Sequence, residues 1–434
     1  MSPRLRREGD ATVPGLVTGL ASRAVLLAIV LLLIAAATAR AGTEEFSTFS
    51  AEAQEEDDES LIDHMLTRIP RAWDGEWESA PLALRTSQAC LTSGQWLTYT
   101  DLKLRSTLGE RAWFGFDFTQ REDDRANYDF LDFSFHFPTR FGTAAGMFRP
   151  FHDKARQDFA LMWDVGNDTT AVQLRLTAGL EDLFNNFWEF RQYRNGGESE
   201  PYLRHPWEPG LRLVVRQPRL RAEVGGRYLT PSRKRVIVSF ADESLNRVRT
   251  LWGTLGWATV DASALGLDWE LRSTNQQATS TDAPWLEPQL DDRNFRRQWS
   301  FESSVQRQIT PRLEAEARWV YQGRTQRHGP PDGPRFFDAI DRVWQIETRW
   351  AAHRAVTLRV GGMRDRITVV DTGGNGYGSF NGYGTRFETR AYVGLMTRFG
   401  RVRLEGIEGI ELDHEPYVVS GFHDKGFLQL QTTF

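Results

Sequence analysis

The sequence predicts an all-β chain: a transmembrane antiparallel β-barrel of roughly 16–18 strands, with 18 preferred, behind a short N-terminal periplasmic segment. Three observations predict it. The chain opens with an export-type leader, it alternates apolar and polar residues with period two from about residue 80 onward, and it closes on an alternating strand at Phe434.

The leader comes first. Arg4, Arg6, Arg7 and Arg23 precede an unbroken apolar run from Ala24 to Ala37. That run falls short of the roughly 20 residues a membrane-spanning helix needs. Ala39-Arg40-Ala41 follows as a small-x-small cleavage site, so residues 1–41 read as a secretory signal peptide cut before Gly42. An exported chain with no second helix-length apolar run is left with the periplasm, the exterior or an outer-membrane barrel. Mean hydropathy does not separate them, because a barrel alternates lipid-facing and lumen-facing residues.

Residues 42–78 differ from the rest. Glu52 to Glu59 is strongly acidic, and Leu61, Ile62, Met65, Leu66 and Ile69 then fall at helical spacing. The expectation is an acidic, solvated periplasmic segment with one short amphipathic helix. The barrel then occupies 79–434.

Its strands declare themselves by alternation. Phe114, Phe116 and Phe118 take one face of a strand whose other face holds Trp113, Gly115, Asp117 and Thr119. Leu131, Phe133, Phe135 and Phe137 oppose Asp132, Ser134 and His136. Leu265, Leu267, Trp269 and Leu271 oppose Asp268, Glu270 and Arg272. Leu313, Ala315, Ala317, Trp319 and Tyr321 oppose Glu314, Glu316 and Arg318. Trp344, Ile346, Thr348 and Trp350 oppose Gln345, Glu347 and Arg349. Aromatics close several apolar faces, as interfacial girdles do. Connections alternate in length: long near 181–210, 229–247, 273–297, 322–341, 365–385 and 413–425, short near Pro218, Asp261, Pro311, His353 and Gly400. Seventeen segments follow from this count, and Pro81–Cys90 supplies an eighteenth that returns the N-terminus to the periplasm. Sixteen is the alternative if two weaker early segments are loops. The segment 402–412 carries a flaw, since its apolar phase turns Glu408 towards lipid; a bulge would correct it.

The last strand orients the rest. Gly426-Phe-Leu-Gln-Leu-Gln-Thr-Thr-Phe434 places Leu428, Leu430, Thr432 and Phe434 on one face. This ending resembles the terminal-strand signal of the bacterial outer-membrane β-barrel superfamily. The resemblance covers the broad pattern of 80–434, implies an outer-membrane location and insertion by the barrel-assembly machinery with Phe434 as the assembly signal, and identifies no substrate.

Composition narrows the function. The formal charge is −5, and removing the leader's five Arg and two acids leaves −8, which argues against a nucleic-acid partner. Cys90 stands alone, so no internal disulfide forms. Of 53 basic residues only Lys103, Lys154, Lys234 and Lys425 are Lys, a preference that suits fixed pairs with carboxylates.

The inward face carries the chemistry. An acid-then-Arg pattern recurs at Asp268, Glu270 and Arg272, at Glu314, Glu316 and Arg318, at Glu347 and Arg349, and at Glu388 and Arg390. One reading is a pore wall of both charge signs, with acids nearer the middle and a modest cation preference. The other is that acids and Arg pair across strands and stiffen the wall. No catalytic set emerges. Asp132, Ser134 and His136 share a strand face, but i, i+2 neighbours lie about 6.6 Å apart, beyond the ~3.2 Å reach of a nucleophile–base hydrogen bond. The Gly-rich stretch Gly373–Gly384 has no helix after it and reads as an external loop, and Arg149–Arg156 reads as a constriction element or an external turn. The expected function is a porin-like channel for passive diffusion of small hydrophilic solutes, without cofactor, metal or enzymatic activity. The alternative is a non-conducting barrel that serves as a scaffold or partner-binding component. Outer-membrane lipid, the assembly machinery and small solutes are the implied partners, and the reading allows a homo-oligomer.

Overall fold

A computed structural model of the chain describes residues 80–90, 96–108, 112–123, 127–148, 157–166, 170–181, 202–240, 243–284, 292–328, 335–371, 382–412 and 425–434. The leader, the acidic segment with its expected helix, Arg149–Arg156 and most of the Gly-rich stretch lie outside these residues. Among the described residues no helix is long and apolar enough to cross a membrane.

The described residues form one antiparallel sheet. In chain order the strands are β1 (Leu82–Cys90), β2 (Trp96–Leu108), β3 (Ala112–Asp123), β4 (Asn127–Thr139), β5 (Gly142–Phe148), β6 (Gln157–Val165), β7 (Val172–Glu181), β8 (Tyr202–Arg204), β9 (Trp207–Gln217) and β10 (Leu220–Phe240). There follow β11 (Glu243–Ala264), β12 (Leu267–Pro284), β13 (Asp292–Thr310), β14 (Leu313–His328), β15 (Arg335–His353), β16 (Val356–Asp371), β17 (Gly382–Phe399), β18 (Val402–Glu411) and β19 (Lys425–Thr433). The three-residue β8 pairs with β10 at Arg233 and Lys234, above the stretch where β9 pairs with it. β8 and β9 thus share one position, and the sheet has 18 positions.

β1 pairs with β2 on one side and with β19 on the other, so the sheet closes on itself. Closure abolishes both edges, the condition under which β structure survives in lipid. The seam is tight: the Phe434 N–H donates to the Leu82 carbonyl at 2.9 Å. The eighteenth strand at Pro81–Cys90 therefore exists as β1, beginning one residue later.

The two faces differ in chemistry as the alternation requires. Trp344, Ile346 and Trp350 are exposed on the outside, at 47%, 67% and 50%, while Gln345 and Glu347 between them are buried. On β3 and β4, Phe114 pairs with Phe135 and Phe116 with Phe133 outside, and Asp117 pairs with Asp132 and Gly115 with Ser134 inside. Exposed apolar side chains on a closed sheet have lipid as their solvent.

Three expectations need correction. The long connections at 229–247, 273–297, 322–341 and 365–385 are for most of their length paired strand, since β10 to β17 run 16–22 residues where about 9–11 suffice to cross a bilayer. Beyond the apolar band both faces meet water, so alternation fades while the backbone ladder continues. The turn expected at Asp261 lies instead at Leu265 and Gly266, with φ of 57° and 71°. Two adjacent residues with positive φ make the primed hairpin turn that matches strand twist. Leu265, expected on an apolar strand face, is that turn's exposed tip. Finally, β18 pairs with both neighbours through Glu408 without a register shift. No bulge forms, and Glu408 does face outward, its carboxylate over Gly426.

Candidate functional site: the charged inner wall

The inward faces of β12 to β18 gather the acids and Arg of the recurring pattern. Antiparallel pairing sets Glu314 opposite Arg349 and Glu316 opposite Glu347, and Arg349 opposite Arg359. Like charges facing each other would repel, so the wall holds together only if each guanidinium reaches sideways to an acid. It does. Arg349 donates to Glu314 at 2.7 Å, to Glu316 at 2.6 Å and to Glu347 at 2.5 Å. Arg359 donates to Glu347 at 2.9 Å and to Glu405 on β18 at 2.6 Å. Tyr392 completes the cluster, its hydroxyl donating to Glu347 at 2.7 Å and accepting from Gln345 at 2.8 Å. The planar fork of Arg suits such multiple contacts, which Lys, a point donor, would not reproduce.

Around this node the other expected residues fall into smaller sets. Arg318 lies 3.0 Å from Glu316 and 3.3 Å from Glu302. Arg272 pairs with Glu270, and Asp268 accepts from the Ser263 hydroxyl at 2.5 Å. Arg390 and Glu388 approach at 3.9 Å. The pattern thus separates in space into a β12 pair near its turn, a network that runs from β14 to Glu405 on β18, and the Glu388–Arg390 pair on β17. Glu405 and Tyr392 escaped the sequence reading of the network. Their signal was weak, since β18 carries its inward charges as Arg403 then Glu405, the reverse of the acid-then-Arg order, and Tyr392 carries no charge. A second pairing set lies on the far side: Arg175 grips Asp164 at 2.6 Å, and Arg212 reaches Glu223 at 2.8 Å while the Trp257 indole donates to the same carboxylate at 2.9 Å.

Burial is the other property of this wall. Arg359 and Glu405 have no exposed surface, and Arg403 and Gln429 only 1% each. A charge so withdrawn from water is costly unless it is paired and hydrogen-bonded, as Arg359 is with Glu347 and Glu405. Among the described residues no group of three or more His, Cys, Asp or Glu is arranged to hold a metal ion. Asp132, Ser134 and His136 point inward on β4, and the His136 ring stacks on Trp113 at 4.1 Å.

No known protein family and no curated protein matches the sequence. Solved structures with a similar course include CdiB from Acinetobacter baumannii, at TM-score 0.41 and 10% identity, covering 81% of this chain and 60% of that one. This chain therefore spans less than two thirds of that CdiB chain's length. OmpT, an outer membrane protein of Vibrio cholerae, aligns at TM-score 0.36 and 9% identity over 81% of this chain and 96% of its own. OccK11 of Pseudomonas aeruginosa aligns at 0.37 and 12%, over 81% and 94%. These likenesses are remote, and the assignment rests on the chain's own geometry. A sheet closed over 18 positions, apolar outside and charged inside, makes this protein a transmembrane β-barrel of the outer membrane.

Proposed function

We propose that the barrel is a channel for passive diffusion of small hydrophilic solutes, walled on one side by a fixed lattice of paired carboxylates and guanidiniums. The observation that carries the reading is the Glu314–Arg349–Glu347–Arg359–Glu405 chain of ion pairs on the inner face of an 18-position barrel. Barrels of 16–18 strands are wide enough to enclose an aqueous path. A wall of both signs orients dipolar solutes, and because its charges neutralise one another locally it selects only weakly between cations and anions. Glu314, Glu316, Arg318, Glu347, Arg349, Glu388 and Arg390, with Asp268, Glu270 and Arg272, are the proposed lining. Insertion by the barrel-assembly machinery through the strand ending at Phe434 belongs to the same proposal.

A second reading, a non-conducting scaffold barrel, is favoured by one observation: Arg359, Arg403, Lys103, Gln429 and Gln431 on the inner wall are almost wholly withdrawn from solvent. Conductance of the folded chain in planar bilayers separates the two. The channel reading expects steady ohmic steps and a reversal potential that Glu316→Gln barely moves. A bilayer that stays silent at high protein load would contradict it and leave the scaffold.

A further inference from the structure

The outer face carries a cationic cluster that the inner-wall account does not use. One row of paired residues crosses four strands: Tyr321 on β14 faces Arg342 on β15, Arg342 faces Arg366 on β16, and Arg366 faces Phe387 on β17. The next row towards the short turns reads Trp319, Trp344, Arg364 and Thr389. All of these share the outward face. Arg364 and Arg366 are exposed. Both lie over the Phe387 ring, at 5.1 and 5.8 Å, and Arg342 lies over Tyr321 at 5.5 Å.

Two physical points single the cluster out. First, Arg342 and Arg366 are like charges set directly across a strand pair, which is destabilising. Among the described residues no carboxylate is ion-paired with Arg342, Arg364 or Arg366. The outward acids nearest on these strands are Asp338, four residues further along β15, and Glu408, on β18 beside Val393. On the inner wall the Arg349–Arg359 clash is resolved by Glu347; among the described residues no acid does the same here. Second, the height is that of a headgroup. Arg342 stands eleven residues from His353 at the short-turn end. A strand tilted by about 40° climbs about 2.5 Å per residue, so the Arg342–Arg366 row lies about 28 Å up and the Arg364 row about 23 Å, at the upper rim of an apolar band about 25 Å tall. Trp319, Tyr321 and Trp344 mark that interface. Short turns face the periplasm, so this is the external side.

We propose that Arg342, Arg364 and Arg366 form a binding site for the phosphate groups of an acylated glycolipid in the external leaflet. The guanidiniums supply forked donors to phosphate oxygens. The apolar outer faces of Trp344, Ile346 and Val360 below them, the latter two 67% and 56% exposed, receive the acyl chains.

The test uses the full folded chain in detergent and three probes: bisphosphorylated lipid A, its dephosphorylated counterpart and inorganic phosphate. Native mass spectrometry reads binding, and heat-modifiable gel mobility reports folding. The wild type should bind bisphosphorylated lipid A about tenfold or more tightly than the dephosphorylated form, the worth of a charge-assisted hydrogen bond. The triple variant Arg342→Gln, Arg364→Gln, Arg366→Gln should lose that preference, and the triple Arg→Lys variant should retain most of it. Arg307→Gln with Arg312→Gln at the periplasmic end should change nothing. Equal binding of the two lipids, or a preference that survives the triple Gln variant, would overturn the proposal. Inorganic phosphate competing as well as the lipid would overturn it too, in favour of a free-anion site.

Discussion

Two stretches of wall obey the same alternation and differ in almost everything else. β3 and β4 run 12 and 13 residues; β14 to β17 run 16 to 19. On the short wall the weight is outside, where Phe114, Phe116 and Phe118 pair with Phe135, Phe133 and Leu131. Phe116 meets Phe133 edge-on at 5.7 Å and Phe133 continues to Phe148 at 6.1 Å. Inside, the row is lean, down to Gly115, where an added Cβ would lie 2.6 Å from the Ser134 hydroxyl. On the tall wall the weight is inside, in the network centred on Arg349 and Arg359. Lipid contact is therefore common to both walls, whereas the organised interior belongs to one.

The largest expected effect is on the tall wall's interior. Arg359→Ala removes the guanidinium that bridges Glu347 and Glu405 and should cost about 3–5 kcal/mol, the range for breaking a buried pair by removing one partner. Urea unfolding in lipid vesicles, followed by tryptophan fluorescence, checks it. A cost below about 1 kcal/mol would mean that water reaches this network, as it reaches exposed pairs. Next come the outer faces, which should behave alike. Phe116→Arg on β3 and Ile346→Arg on β15 should each cost about 2–4 kcal/mol near the midplane. If one wall tolerates the Arg and the other does not, the shared lipid contact fails. The smallest effect is expected from Thr119→Arg, an inward change on the short wall beside Asp101, which accepts the Thr119 hydroxyl at 2.9 Å. It should cost under about 1 kcal/mol.

The contrast also explains what was legible in the sequence. Where strands end close to the bilayer, as β3 and β4 do, apolar alternation marks most of their length, and Ala112–Gln120 and Asp129–Phe137 fall inside the observed strands. Where strands continue into water, as β12 does through Thr279, Ser280 and Thr281, both faces are polar and only the ladder of backbone hydrogen bonds persists. Periodicity does not see that ladder. The turn at Leu265 and Gly266 was obscured in a similar way, because a leucine fits the period of the strand on either side. Within the charged wall, acid–Arg doublets on one strand were readable, while Glu405 joins the network through contacts across strands that composition does not encode. The outward Arg342 and Arg366 were invisible for the same reason, since their row exists only once register is set.

The central claim is that β15 holds one face to lipid and the other to a packed, charged interior. It is tested most directly by spin labels placed singly from Trp344 to Trp350, after Cys90, the chain's one cysteine, is replaced by serine. Collision with oxygen, which concentrates in lipid, should be high at 344, 346, 348 and 350 and low at 345, 347 and 349. A flat profile, or one with the opposite phase, would contradict the account.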